Sequence, residues 1–464
     1  MQGITHMAPV CSVVLSMQMV VQHAQVTAPL AFAIAFGIVL TMGISLTQLA
    51  KHISSAGGYY TYVSRTIHPR AGFLTAWLYF LYDPVCAGFN LAYLGDLIEK
   101  TAWAKFHVYC PWWAVLTGST VVITVLTYRG IKISTESLTV LGLLEIGILL
   151  VLSAAALWHP GSGGVNLVSY NPRQAPGAGG LCMGVVFAIM AFSGFESVAP
   201  LAEEARHSRR NLPRAIMGSI LLIGALYLFA SWAIVVGWGT KSIGTLATSQ
   251  DNPVLVLADR LLPYGELLVA LALLNSVLAV SIASTNAATR VFFAMGRTGA
   301  MPRWLAGVHP KFQTPVNAVW LQTLITLALG LGLGFWLGPF REFEFMAVVN
   351  TLALLIVYGG GNVGVMLLFL RERRAEFRLL LHGICPAVSS LAILVVAYYS
   401  IFPLPDPPLR YAPLVVAAWL AIGIGLLAVF RATGREQRLL TVGAAAYGRP
   451  AAGDLAAEED HKCD

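Results

Sequence analysis

Three acids sit deep inside long apolar stretches of this chain: Asp83, Glu145 and Glu196. A charge in an apolar surround is expensive, so such a residue faces a cavity, finds a partner or takes up a proton. Asp83 precedes Pro84, which puts it at a helix kink. There its carboxylate can attract a cationic group or hydrogen-bond to backbone that the proline frees. Glu145 can load and release a proton, or it can hold its helix against a neighbour as a neutral acid. Glu196 closes the run Phe192-Ser193-Gly194-Phe195-Glu196, with Pro200 behind it. A second helix-breaking run, His6-Met7-Ala8-Pro9, lies far upstream, Pro9 and Gly194 being 185 residues apart. A broken helix exposes N–H and C=O groups, and its half-helix ends favour opposite charges. Either break alone is equally a packing kink; as a pair they point to a ligand site between two related halves.

Groups of this kind need helices around them, and the composition supplies little else. The chain has 464 residues, of which 57% are apolar and 11% charged, against about 25% charged in a soluble domain. No Asp, Glu, Lys or Arg precedes Lys51, and charge-free runs recur at 146–172, 174–195, 215–240, 267–289, 312–340 and 345–370. Each run is long enough for a bilayer core of about 30 Å, which takes about 20 helical residues. Hydropathy predicts twelve spans, at 2–22, 28–50, 70–95, 111–128, 133–157, 181–202, 214–238, 264–292, 315–338, 344–370, 379–401 and 411–430. The fold class is therefore an all-α polytopic membrane protein. Its breaks fall in spans 1 and 6, which suggests two inverted five-helix halves, residues 1–157 and 181–370. Two extra helices follow at 379–430, then a polar tail, 431–464, read as disordered and cytoplasmic.

The net charge of +7 is a topology signal rather than a nucleic-acid footprint, because the basic residues cluster in short segments between apolar runs. With residues 23–27 outside, the inner segments and tail hold 22 of the 29 Lys and Arg residues. Both termini are then cytoplasmic, and the Arg-rich, Ala- and Gly-rich composition favours a bacterial plasma membrane. The six cysteines form no CxxC pair and read as small buried hydrophobes. Gly330, Gly332 and Gly334 lie in an apolar span with no strand before them, so they are not a nucleotide loop. Gly359-Gly360-Gly361 reads as close helix packing. There is no HExxH, P-loop or GxSxG motif, no basic region that would mark a cleavable signal peptide, and no metal or cofactor is expected.

Three stretches resemble known sequences. Ser55-Ala56-Gly57-Gly58-Tyr59-Tyr60-Thr61-Tyr62-Val63, followed by Gly72-Phe73-Leu74-Thr75-Ala76-Trp77, resembles the loop between helices 2 and 3 of amino acid permeases of the amino acid–polyamine–organocation superfamily. Phe192 to Ser197, Ala202-Glu203-Glu204 and Asn211-Leu212-Pro213-Arg214-Ala215-Ile216 look like that family's helix 6 and the basic loop after it. Asn286-Ala287-Ala288-Thr289-Arg290, Arg297 to Pro302 and Thr314-Pro315-Val316 resemble its helix 8 to helix 9 connection. The chain departs from the pattern in two places. Met7-Ala8-Pro9 stands where a Gly-Ser-Gly-like break is common, and His207-Ser208 where Asn-Pro is common. The family also has a lead and a first half-helix before the break. The resemblance therefore implies either a start upstream of Met1 or a shortened helix 1.

The resemblance implies a secondary active transporter working by alternating access, with helices 1 and 6 gripping an amino acid. The amides of Ala8, Val10 and Cys11 would receive a carboxylate, and carbonyls near Met190, Phe192 and Ser193 an ammonium. The backbone at Met7, Pro9 and Gly194 completes the two breaks. Tyr79, Phe80, Asp83, Met190, Ser193 and Ser284 would line the cavity, although Tyr79, Phe80 and Met190 equally suit ordinary packing. Glu145 lies where some members carry a lysine linked to proton coupling, and Glu196 resembles a gating or proton-linked residue. A proton is expected as co-substrate, or exchange, ahead of sodium. The hydroxyls of Ser276, Ser281, Ser284 and Thr285 more often bond their own backbone. A polyamine or organic amine carrier is the alternative that Asp83 keeps open. From another class, a transporter-like amino acid sensor fits the short start. The expected partners are a small-molecule substrate and the lipid bilayer.

Overall fold

The computed structural model describes residues 6–53, 57–130, 135–203, 208–247, 252–298, 301–402 and 405–433. Ser55, Ala56, Glu204, His207, Gly299, Ala300 and the tail from 434 onward, all used above, lie outside these residues.

Among the described residues the regular structure is helical throughout. Long apolar runs leave the backbone no water to bond, so each run satisfies its N–H and C=O groups within one helix. Prolines mark where many of these helices begin, because the first turn needs no donor there. Pro9 opens α1 (Pro9–Ala24), Pro29 stands in the first turn of α2 (Ala28–His52), and Pro69 opens α4 (Pro69–Tyr79). Between α2 and α4 lies a short helix, α3 (Gly58–Thr66), in the stretch read from sequence as a loop. Pro84 stands second in α5 (Asp83–Phe106). The span expected at 70–95 is thus two helices, α4 and α5, separated by Phe80–Tyr82 and longer than predicted at its far end. The Asp83-Pro84 pair forces the restart: proline cannot donate to the preceding turn, and Tyr82 leaves the helical region at φ −113°, ψ −97°.

The chain continues through α6 (Trp112–Tyr128), α7 (Thr135–Trp158), α8 (Ala178–Phe192) and α9 (Ser208–Trp238). Two short helices, α10 (Ile243–Ala247) and α11 (Pro253–Leu261), precede α12 (Gly265–Thr298). The last four are α13 (Val316–Leu337), α14 (Pro339–Arg371), α15 (Cys385–Ile401) and α16 (Ala412–Ala432). Nine helical stretches among the described residues are long and apolar enough to cross a membrane, with the two-helix run Pro9–His52 taken as one; Trp112–Tyr128 is apolar but shorter.

The breaks lie at the centre of this bundle. Helix α1 is buried almost along its whole length and packs on α8, while α2 packs on α8 and α9. Helix α5 is the other central element and touches α6, α12, α13 and α14. Small residues allow the close approaches. Gly88 of α5 and Gly330 of α13 face each other so closely that a Cβ on Gly330 would stand 3.1 Å from the Gly88 carbonyl oxygen. At the periphery, α16 buries only Ala412, Val416 and Gly423. It is clasped to α4 by two reciprocal bonds: Trp77 Nε1 donates to the Trp419 carbonyl (2.7 Å) and Trp419 Nε1 to the Trp77 carbonyl (2.8 Å). The two indoles stack with centroids 4.5 Å apart. Large apolar side chains such as Leu324, Phe335, Leu391, Leu394, Leu414 and Ile422 are exposed on the outer helices, as suits a surface facing lipid.

Candidate functional site

The first break is at Ala8. His6 and Met7 are helical, Ala8 leaves the helix at φ 42°, ψ 77°, and α1 restarts at Pro9. A non-glycine residue in that left-handed region is strained and persists only when its surroundings fix it. The Met7 carbonyl accepts from Ser12 Oγ (2.6 Å) and from the Tyr227 hydroxyl of α9 (2.9 Å), and the Ala8 carbonyl accepts the Ser12 N–H (2.9 Å).

Helix α7 brings Glu145 to the restart. Its Oε1 accepts from Asn275 Nδ2 (2.5 Å) and its Oε2 from Ser276 Oγ (2.7 Å), both on α12. The Val10 N–H donates to the same carboxyl, and Ser276 Oγ accepts the Cys11 N–H (3.1 Å). A carboxyl at a helix N-terminus has the sign that the half-helix dipole favours. The Val10 and Cys11 amides, which the family resemblance would offer to a substrate carboxylate, are therefore held by Glu145 and Ser276.

The second break follows α8. Ser193 is extended (φ −61°, ψ 148°), Gly194 has φ +110°, and a 3₁₀ turn runs over Phe195–Glu203. Here too the chain satisfies itself. The Met190 carbonyl accepts from both the Ser193 N–H (3.0 Å) and Ser193 Oγ (2.7 Å). Glu196 Oε2 accepts the Gly194 N–H (3.0 Å), and Ser197 Oγ donates to the Gly194 carbonyl (2.6 Å).

The two breaks meet at His6, a residue that sequence reasoning did not single out. Gly194 lies directly on the His6 main chain. The His6 ring reaches Asp83 at the start of α5, Nε2 to Oδ1 3.4 Å, with both side chains 1% exposed. The Tyr82 hydroxyl is 3.5 Å from the same ring nitrogen. Tyr79 neighbours Asp83, and Tyr358 of α14 neighbours Glu196. The backbone freed by Pro84 is served by Gln322 Nε2, which donates to the Pro84 carbonyl (2.8 Å). Beyond the pair with His6, neither Asp83 oxygen has a hydrogen-bond partner among the described residues, and Glu196 Oε1 and His6 Nδ1 also lack one. The unsatisfied side-chain atoms beside the breaks thus include those of two acids and one imidazole, together with the Tyr358 hydroxyl near Glu196.

Other expected side chains are taken up by packing or by their own backbone. Phe80 joins a satellite apolar cluster with Ala288, Phe292 and Ala318, stacking on Phe292 with centroids 5.3 Å apart. Phe192 is fully buried against Phe36 and Tyr227. Ser284 is buried beside Cys86 and donates to the Ser281 carbonyl (3.2 Å).

Residues 1–433 match the sequence profile of the amino acid permease family. The chain is 26% identical over 315 residues to the low-affinity putrescine importer of Escherichia coli (strain K12), covering 66% of this chain and 67% of that protein. It is 25% identical over 382 residues to a branched-chain amino acid permease of Bacillus subtilis (strain 168), covering 79% and 78%. It is 24% identical over 403 residues to the methylthioribose transporter of the same organism, covering 81% and 79%.

Proposed function

Because the chain belongs to the amino acid permease family, a family of membrane transporters rather than enzymes, we propose that it is a secondary transporter carrying an amino acid or a related organic amine across the plasma membrane by alternating access. In this reading twelve spans form two inverted five-helix halves with two added helices, and both termini are cytoplasmic. The observation that carries it is the contact between the two helix breaks, with buried acids gathered around it. Irregular backbone at membrane depth is tolerated where protein buries it or where it lines a cavity, and paired breaks are where transporters bind substrate. Coupling to protons, or exchange, ranks ahead of sodium, because Ser276, the α12 hydroxyl at the first break, is engaged by Glu145 and Ser284 by its own backbone, although the buried Ser281 hydroxyl has no partner among the described residues.

The organic amine reading has its own support. Asp83 and Glu196 present carboxyl oxygens near the breaks, whereas two amides suited to a substrate carboxylate are occupied by the protein. The putrescine importer among the relatives is in keeping with that reading.

The test is counterflow in liposomes holding the purified protein, with a panel of amino acids and di- and polyamines. Movement of at least one member above protein-free liposomes is expected. A panel in which nothing moves overturns the carrier reading, and uptake that vanishes when choline replaces sodium overturns the ranking of the coupling ion.

A further inference from the structure

We infer that His6 is the proton-carrying group of the substrate site: Asp83 and Glu196 share one proton, the imidazolium balances their single remaining negative charge when the site is empty, and an incoming ammonium displaces the imidazolium proton.

The argument starts from charge. Asp83 and Glu196 are both buried, at 1% and 2% exposure. The charged groups acting on His6 are these two acids, and those acting on Glu196 are His6 and Asp83. Two carboxyls with no fixed cation between them cannot both stay ionised in a dry site unless something positive joins them. The imidazole is in place to do so, 3.4 Å from Asp83 and with its backbone pressed on Gly194, whose N–H is held by Glu196.

The other groups around the ring are neutral hydroxyls. Tyr82 faces His6 itself, Tyr79 faces Asp83, and Tyr59 and Tyr358 lie near Glu196 from α3 and α14. An ammonium entering among these acids brings one positive charge to a place that already holds one. The cheapest balance is loss of the imidazolium proton to water, leaving neutral His6, the ammonium and the acid pair with its single negative charge unchanged. No covalent bond changes, and one cation replaces another. Carriage of a singly cationic amine is then an electroneutral exchange for a proton. Histidine suits this duty because its charge changes within physiological pH, whereas lysine or arginine at this position would hold the pair permanently.

This inference rests on the carrier reading above, and the experiment separates the two. Purified protein in weak buffer with a pH-indicator dye is titrated with L-leucine and with putrescine across roughly pH 5 to 8. The same probes are followed by counterflow in liposomes. For the probe that moves, up to one proton is expected to be released per molecule bound by the wild-type protein. Histidine-labelled wild-type protein is expected to show one ring nitrogen resonance, assigned by its absence from His6→Gln, that moves from the imidazolium to the neutral position as the probe binds, and His6→Lys is expected to lose binding at least tenfold. Wild-type binding without release overturns the inference, as does a His6 ring resonance that does not move or unimpaired binding by His6→Lys. Should His6→Gln fail to fold, His6→Asn supplies the assignment. If the wild-type protein neither binds nor moves either probe while another panel solute moves, the titration is repeated with that solute. If no solute moves at all, the carrier reading fails and the inference with it.

Discussion

The glycine of the second break lies on the main chain of the first. A Cβ on Gly194 would stand 2.9 Å from the His6 carbonyl carbon and 3.0 Å from its oxygen. Gly194 also has φ +110°, a conformation that only glycine adopts without strain. Gly194→Ala should therefore cost about 1–3 kcal/mol and abolish counterflow, because relief of the clash requires the breaks to part. Thermal unfolding and counterflow, measured on one preparation, check this. A variant with wild-type melting and exchange would mean that the two breaks need not touch.

Glu145 accepts three hydrogen bonds that tie α7, α12 and the start of α1 together. Removing the carboxyl leaves buried donors unpaired, each worth about 1–3 kcal/mol. Glu145→Ala should lower the melting temperature more than Glu145→Gln, which keeps one acceptor. The Gln variant is expected to retain pH-driven uptake, as a helix cap would. Its loss in that variant, with counterflow preserved, would reassign Glu145 to proton coupling.

The Trp77–Trp419 clasp predicts a separation of stability from transport. Trp419→Phe keeps a ring in the stack but removes one of the two reciprocal bonds. A loss of about 1 kcal/mol is expected, with counterflow close to wild type, since α16 is peripheral and buries only Ala412, Val416 and Gly423. A variant that melts normally but no longer exchanges would contradict this.

Orientation can be read from Cys110, a partly exposed free thiol between α5 and α6. The distribution of Lys and Arg predicts that this loop lies outside the cell. In a variant that keeps only this cysteine, a membrane-impermeant maleimide should label intact cells. Labelling seen only after the membrane is opened would invert the topology.

Much of this was legible in the sequence because the information is local. An apolar run predicts a helix by its length, and Pro9, Pro84 and Gly194 mark restarts and breaks by their own backbone limits. What escaped was relational. α3 is a nine-residue helix, too short for hydropathy to register, and it is held by contacts such as Tyr59 on Tyr358, with centroids 5.5 Å apart. Phe80 lies in a non-helical turn, where spacing says nothing of the direction a side chain takes. His6 carries no signal in a single sequence beyond being polar beside a break. Its meaning comes from Asp83 and Glu196, which are 77 and 190 residues away in the sequence. The occupation of the Val10 and Cys11 amides was equally hidden, because it depends on how α7 and α12 pack against α1.

Gly88 and Gly330 have a mechanical consequence. Where two helices touch through backbone, sliding would drive one carbonyl into the next residue's main chain, and the bond from Gln322 of α13 to the Pro84 carbonyl of α5 pins the same pair again. Helices α5 and α13 are thus fused into a single stiff beam, with Asp83 at one end of it. In the alternating-access reading proposed above, the broken helices would have to swing past that beam, and Asp83 would be the fixed post against which His6 and Gly194 move.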